Sequence, residues 1–191
     1  MMGYIWDNPD HLQLLEPKTS DFEVASVFHG PMHTMRVMAW VCVLSEKLNM
    51  PNKGRLAFFA AVVHDMGRCN DAYGPRHGLR SADIHLPLWK SKFEYVGLNE
   101  KEYNTVYEAI RWHSKDNEPP ADHPDIEVIN LLKDADGLDR VRIEPEGPRP
   151  EYLRFPITAS LIKNAQTLYN QTESMSNPSL AKIVELAFKY K

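Results

Sequence analysis

The stretch Ala60-Ala61-Val62-Val63-His64-Asp65-Met66-Gly67-Arg68 limits what this chain can become more than any other. Apolar residues run at helical spacing into a histidine and an aspartate side by side, and a glycine ends the run. Adjacent helical residues point about 100° apart, so His64 and Asp65 reach one ion together only from a helix that is nearly all buried. A buried carboxylate is costly unless it is paired or coordinates a metal. The alternative is a solvent-facing pair at a frayed helix end. The rest of the chain has to decide.

No segment alternates apolar and polar residues with a period of two, and no internal repeat is visible, so the expected fold is all-α. Residues 1–19, with Trp6, Pro9 and Pro17, read as an N-terminal arm with one short helix, and residues 20–191 as a single-domain helical bundle. Ser20-Asp21-Phe22-Glu23 has a capping-box pattern and predicts a short helix through Phe28, broken by His29-Gly30-Pro31. Pro31 suits the first turn of a helix running to about Asn49, and the helix carrying His64 and Asp65 follows from about Lys53. Residues 67–78 form a polar, glycine-containing loop. A helix from about Leu79 to Tyr95 is expected to kink near Leu86, because Pro87 interrupts it. Asn99 caps a helix that ends near His113, Ser114 to Pro124 is a loop, and Ile126 to Leu138 is a further helix. Arg140 to Pro156 holds four prolines and reads as irregular. Two helices within residues 157–190, about Thr158–Thr172 and Ser179–Tyr190, close the chain.

At 191 residues, with 43% hydrophobic and 25% charged residues, one domain with a substantial core is expected. A net charge of −4 argues against a nucleic-acid partner, while local positive clusters remain able to bind a small anion. The longest apolar run, Val37 to Leu44, is far short of the roughly 20 residues of a membrane span. Cys42 and Cys69 make neither a disulfide framework nor a thiolate metal site. They fit a reducing compartment, and Asp7, Asn8, Pro9 and Asp10 do not fit a signal peptide, so a cytoplasmic location is expected.

Several predicted helices each deliver one ligand-type residue: His33, His64 with Asp65, His113 after Ile110-Arg111-Trp112, and Asp136 after an apolar face. Helical folds build internal metal sites this way. Imidazole with carboxylate suits a first-row divalent ion or magnesium. Taken singly, His33 reads more readily as a hydrogen-bonded, partly buried histidine than as a ligand, and Asp134 and Asp136 read as ordinary helix-terminal acids. Acids at a helix C-terminus oppose the macrodipole, however, and invite a compensating cation. His29 and His33 are spaced i, i+4, but Gly30-Pro31 places His29 before the helix.

In this order, His33-Thr34-Met35-Arg36-Val37, His64-Asp65-Met66-Gly67-Arg68, His77-Gly78-Leu79-Arg80-Ser81-Ala82, Ile110-Arg111-Trp112-His113 and Lys133-Asp134-Ala135-Asp136-Gly137-Leu138-Asp139 resemble the motifs of the HD-domain superfamily of metal-dependent phosphohydrolases. The resemblance covers about residues 25–140. It implies a helical HD-type fold and a divalent metal (Mn, Co, Ni, Zn, Mg or Fe) bound by His33, His64, Asp65 and Asp136. His77 and His113 are then expected to line the same cleft. In two-metal relatives such histidines hold a second ion bridged by the aspartate, here Asp65; in one-metal relatives they face substrate phosphate. Asp65, His77 and His113 are the expected catalytic residues, His77 being the first candidate for proton donor to the leaving oxygen.

The implied substrate is a nucleotide or another small phosphorylated molecule, attacked by metal-activated water. Guanidinium forks suit phosphate, so Arg36, Arg68, Arg76 and Arg80 are candidate substrate contacts, solvated surface or structural ion pairs being the alternative for each. Two departures qualify the likeness. Met66, Gly67 and Arg68 stand where the nucleotidase branch has a glutamate, the nearest acid being Asp71, and Gly137 stands where many members are basic. Other readings are a di-iron oxygenase of the same superfamily, which requires His77 and His113 as ligands, and a non-catalytic nucleotide-binding HD protein. The helices beyond residue 140 complete the core or make a homodimer contact, and the Pro145–Pro150 excursion is a candidate border of the cleft.

Overall fold

In the computed structural model, residues 4–72, 74, 76–114, 118–143 and 147–191 are described. Among them the helices are α1 (Pro9–Leu15), α2 (Pro31–Lys47), α3 (Pro51–Val63), α4 (His77–Arg80), α5 (Leu86–Tyr95), α6 (Glu100–His113), α7 (Ile126–Asp139), α8 (Pro156–Ser160), α9 (Ile162–Glu173) and α10 (Leu180–Lys189). No strand occurs among the described residues, and the all-α expectation holds.

Helix α2 is the axis. Every residue from His33 to Ser45 is buried, as expected of a helix surrounded on all sides. It packs against α3, α7 and α10, while α3 packs against α6 and α7. Helix α3 is as deeply set: residues 57–67 are buried without interruption, so His64 and Asp65 lie inside the protein and not at a frayed end. Helix α10, capped by the Ser179 side chain, lays Leu180, Ile183, Val184, Leu186 and Ala187 onto this core. Residues of the N-terminal arm pack too, since Ile5, Trp6, Leu12 and Leu15 are buried. Among the described residues, no helix is long and apolar enough to cross a membrane.

Two local expectations are corrected. Residues 20–28 are not helical. A single turn at Thr19–Asp21 ends in extended backbone, because Asp21 caps backward onto the Lys18 amide and the Glu23 amide donates to the Met66 carbonyl. The expected kink before Pro87 is instead one wide turn, Ser81–His85, joining α4 to α5. Its last bond runs from the Leu86 amide to the Ser81 carbonyl, five residues back, so the loop of backbone just before the proline is widened without breaking the helix. Asn99 caps α6 as the sequence indicates, with Glu102 completing the box.

Two glycines fix how elements meet around the site. A Cβ on Gly67 would lie 2.6 Å from the Ser81 amide nitrogen, and one on Gly78 would lie 2.6 Å from the Ile110 carbonyl oxygen. Only glycine permits these approaches, which press α4 against both the end of α3 and the last turn of α6. Parts of three segments read from the sequence, residues 73 and 75 in the 67–78 loop, 115–117, and 144–146 with Pro145, lie outside the described residues.

Candidate metal centre

Every candidate ligand sits at a helix end. His33 is in the first turn of α2, His64 and Asp65 follow α3, His77 begins α4, His113 ends α6, and Asp136 lies in the last turn of α7. The structure brings all six together.

His33 Nε2 lies 3.2 Å from His64 Nε2, 3.3 Å from Asp136 Oδ1 and 3.4 Å from Asp65 Oδ2. His77 Nε2 lies 3.1 Å from His113 Nε2 and 3.1 Å from Asp65 Oδ1, with His113 Nε2 at 3.5 Å from that same oxygen. Asp65 thus turns Oδ2 to one histidine pair and Oδ1 to the other. Among the described residues, proximity of ligand atoms alone gives two groups that can hold an ion: His33, His64 and Asp136, and His64, Asp65 and His113.

The opposite ring nitrogens explain the arrangement. His33 Nδ1 bonds Asp139 Oδ2 at 2.8 Å, and the Nδ1 atoms of His64, His77 and His113 donate to the carbonyls of Ala61, Gly74 and Ile110 at 2.7, 2.5 and 2.6 Å. A carbonyl can only accept, so Nδ1 carries the hydrogen in all three rings, and the neutral form of each has its lone pair on Nε2. In that form His77 Nε2 and His113 Nε2 face each other lone pair to lone pair, which is repulsive unless a cation stands between. Ligand atoms about 2.0–2.2 Å from one ion stand about 3–3.5 Å from each other, and both histidine pairs have that spacing. The donor set fits a divalent metal.

Burial lowers the affinity of His33 for a proton and Arg142 lowers it further, yet Asp136, Asp139 and Asp65 outweigh both and hold its pKa at about 9. Burial drops His64 to about 3 despite the nearby Asp65 carboxylate, so the one proton of this pair stays on His33. Burial raises the Asp65 and Asp136 carboxyls, but the surrounding histidines hold both well below the ordinary carboxylate range. A ligand must lose its proton to bind metal. An ion bound by His33 below about pH 9 therefore displaces one proton from it. Affinity for manganese is expected to rise about tenfold per pH unit between pH 6.5 and 8.5 and to level off above 9, as measured by calorimetry. An affinity flat across that window would contradict the linkage.

Arg36, a candidate substrate contact from the sequence, lies behind His33 and is buried. Its Nε donates to Asp139 Oδ1 at 2.7 Å, and its terminal nitrogen reaches Glu173 at 3.0 Å and Thr172 at 3.3 Å on α9. It does not line the cleft cavity. Asp139, which the sequence placed in the last motif without a role, orients His33. Asp134, by contrast, leaves the site entirely: it accepts from the Arg154 and Phe155 amides and the Thr158 hydroxyl, capping α8.

The other three arginines line one cavity of about 600 Å³, together with Gly67, Asn70, His77, Leu79, Asp83 and Ile84. Arg68 Nε lies 3.0 Å from Asp65 Oδ1. Arg80 Nε is gripped by both oxygens of Glu23 at 2.8 and 2.9 Å, a partner from the 22–30 segment that no local sequence signal marks. His29, also unassigned from the sequence, stands edge-on to His33 and bonds Asp71 at 3.0 Å.

Among known protein families, the model for the HD domain matches residues 32–141, more than half of the chain. No curated protein and no solved structure matches it.

Proposed function

Since this chain belongs to the HD-domain family, we propose that it is a metal-dependent phosphohydrolase acting on a small phosphorylated molecule, nucleotide-like in size. The observation that carries this reading is Asp65, whose two oxygens face two histidine pairs, one of which borders an arginine-lined cavity through His77. His33, His64, Asp65 and Asp136 would hold one ion; Asp65 with His77 and His113 would hold a second. A bound divalent ion supplies a water of lowered pKa and polarises a phosphoryl oxygen.

The protein's own groups supply the rest. Carbonyl-anchored Nδ1–H groups keep three imidazoles in the tautomer that presents a lone pair inward. Because His113 is buried and points at Asp65, the geometry favours a ligand role for it over proton donation to a leaving group. His77 is more exposed and nearer the cavity, and it remains the side chain best placed to meet the leaving oxygen where only one ion is bound. Arg68, Arg76 and Arg80 place fixed positive charge where charge spreads over equatorial phosphoryl oxygens.

Arg80 has its Nε held by Glu23, and its two terminal nitrogens have no partner among the described residues. Arg80→Ala is accordingly expected to raise KM for the phosphorylated substrate about tenfold while changing kcat less than threefold. Equal losses in kcat and kcat/KM would place Arg80 on the transition state instead.

The test of the whole reading is elemental analysis of the purified protein beside a phosphate-release screen with added manganese, cobalt, nickel or magnesium. One or two divalent ions with phosphate release is the expected result. Two irons without release would favour the oxygenase reading, which the paired histidines also satisfy. No metal and no release would leave a binding protein.

A further inference from the structure

The cavity has two unlike ends. Its inner end holds His77, Arg68, Arg76 and Arg80, a suitable seat for phosphate. Its outer end is built by the next turn of the same helix, Asp83 and Ile84, with Leu79 between His77 and Arg80 lining it as well. Leu79 and Ile84 are 37% and 43% exposed, too much for core residues, and both face this space. Asp83 is not free to swing. The Tyr107 hydroxyl donates to its Oδ1 at 2.7 Å, and Oδ2 has no partner among the described residues.

Arg76, Leu79, Arg80, Asp83 and Ile84 are spaced i, i+3, i+4, i+7 and i+8, the stripe that shares one face of a helix, and all five line the cavity. Between His77 and Ile84 the helix advances about 10 Å, the reach of a phosphorylated molecule with a body the size of a nucleoside. A volume of about 600 Å³ accommodates such a ligand.

We propose that Leu79, Asp83 and Ile84 form a specificity subsite that receives the far end of the phosphorylated ligand and requires that end to be uncharged, partly apolar and equipped with a hydrogen-bond donor. The proposal rests on reading the inner end as the phosphate seat. A carboxylate accepts and cannot donate, so Asp83 selects a hydroxyl or amino group. It also repels a second anionic group, so a molecule phosphorylated at both ends is excluded by like charge. The aliphatic pair supplies a surface for a flat ring. Binding energy gained at this distance from the reacting bond serves to hold the phosphate in place.

Three hydrolysis-resistant probes test this by calorimetry on the manganese-loaded full chain. They are methylphosphonate, the methylene-phosphonate analogue of adenosine monophosphate, and hexane-1,6-bisphosphonate. The nucleoside analogue is expected to bind at least tenfold tighter than methylphosphonate, and the bisphosphonate no tighter. Asp83→Ala and Ile84→Asn should each cut the nucleoside-to-methylphosphonate ratio at least fivefold, and Asp83→Lys should reverse the order in favour of the bisphosphonate. Equal binding of all three probes, or a ratio unmoved by both truncations, overturns the subsite. Phosphate release measured separately keeps the two readings apart. Release with an unmoved ratio defeats the subsite alone, and Asp83-dependent binding without release defeats only the hydrolase.

Discussion

Asp65→Ala is expected to strip the protein of its metal and to reduce phosphate release by on the order of 10³-fold or more, with helicity retained. The magnitude follows from position. This one carboxylate faces His33 and His64 through Oδ2 and His77 and His113 through Oδ1, so its loss removes a ligand from both halves of the site at once. The helices themselves lose little, because Val62, Val63 and Met66 around it remain packed in the core. Elemental analysis and a phosphate assay on the variant check the two effects, and circular dichroism checks the third. Undiminished phosphate release would sink the assignment of the site. Asp65→Asn refines the result, since it keeps the volume and removes the charge that two ions would share.

Arg36→Ala is expected to destabilise the protein by about 3–5 kcal/mol, the range for breaking a buried ion pair by removing one partner. Arg36 is 1% exposed, and its guanidinium meets the buried carboxylate of Asp139. Without it Asp139 retains His33 and the nearby Arg142 but loses its shortest cationic contact. The altered charge around Asp139, which orients His33, then weakens metal binding about 10–100-fold, as changes behind a ligating histidine do. Denaturant unfolding and a metal titration measure the pair. A rise in KM with stability unchanged would show instead that the side chain reaches substrate.

That contrast shows where the sequence was legible. The order of the longer helices, the cap at Asn99 and the helix start at Pro31 were readable, because apolar periodicity and end signals are encoded within a few residues of each other, while the gathering of His33, His64, Asp65, His77, His113 and Asp136 was legible through the resemblance of five motifs in order. The direction of Arg36 was not. One turn after His33 it could point along the cleft or into the bundle, and the choice is made by Asp139 and Glu173, more than a hundred residues away. The same holds for Glu23. Its stretch carries a sound helix-start pattern, overridden by the Met66 carbonyl, Arg80 and His85. The wide turn before Pro87 was half visible: the proline announced an interruption, and packing against α6 decided its form.

The link from His33 through Asp139 and Arg36 to Glu173 has a consequence for how the protein is made. Chains emerge from the ribosome from the N-terminus, and domains settle as units. By the time Asp136 has appeared, every candidate ligand is outside the exit tunnel, yet α9 and α10 are not, and α2 still lacks the cover of α10. A nascent chain at that stage holds a cluster of histidines and carboxylates without the helix that steadies it. The support that Glu173 and Arg36 give to Asp139 behind His33 is thus the last part of the site to be added.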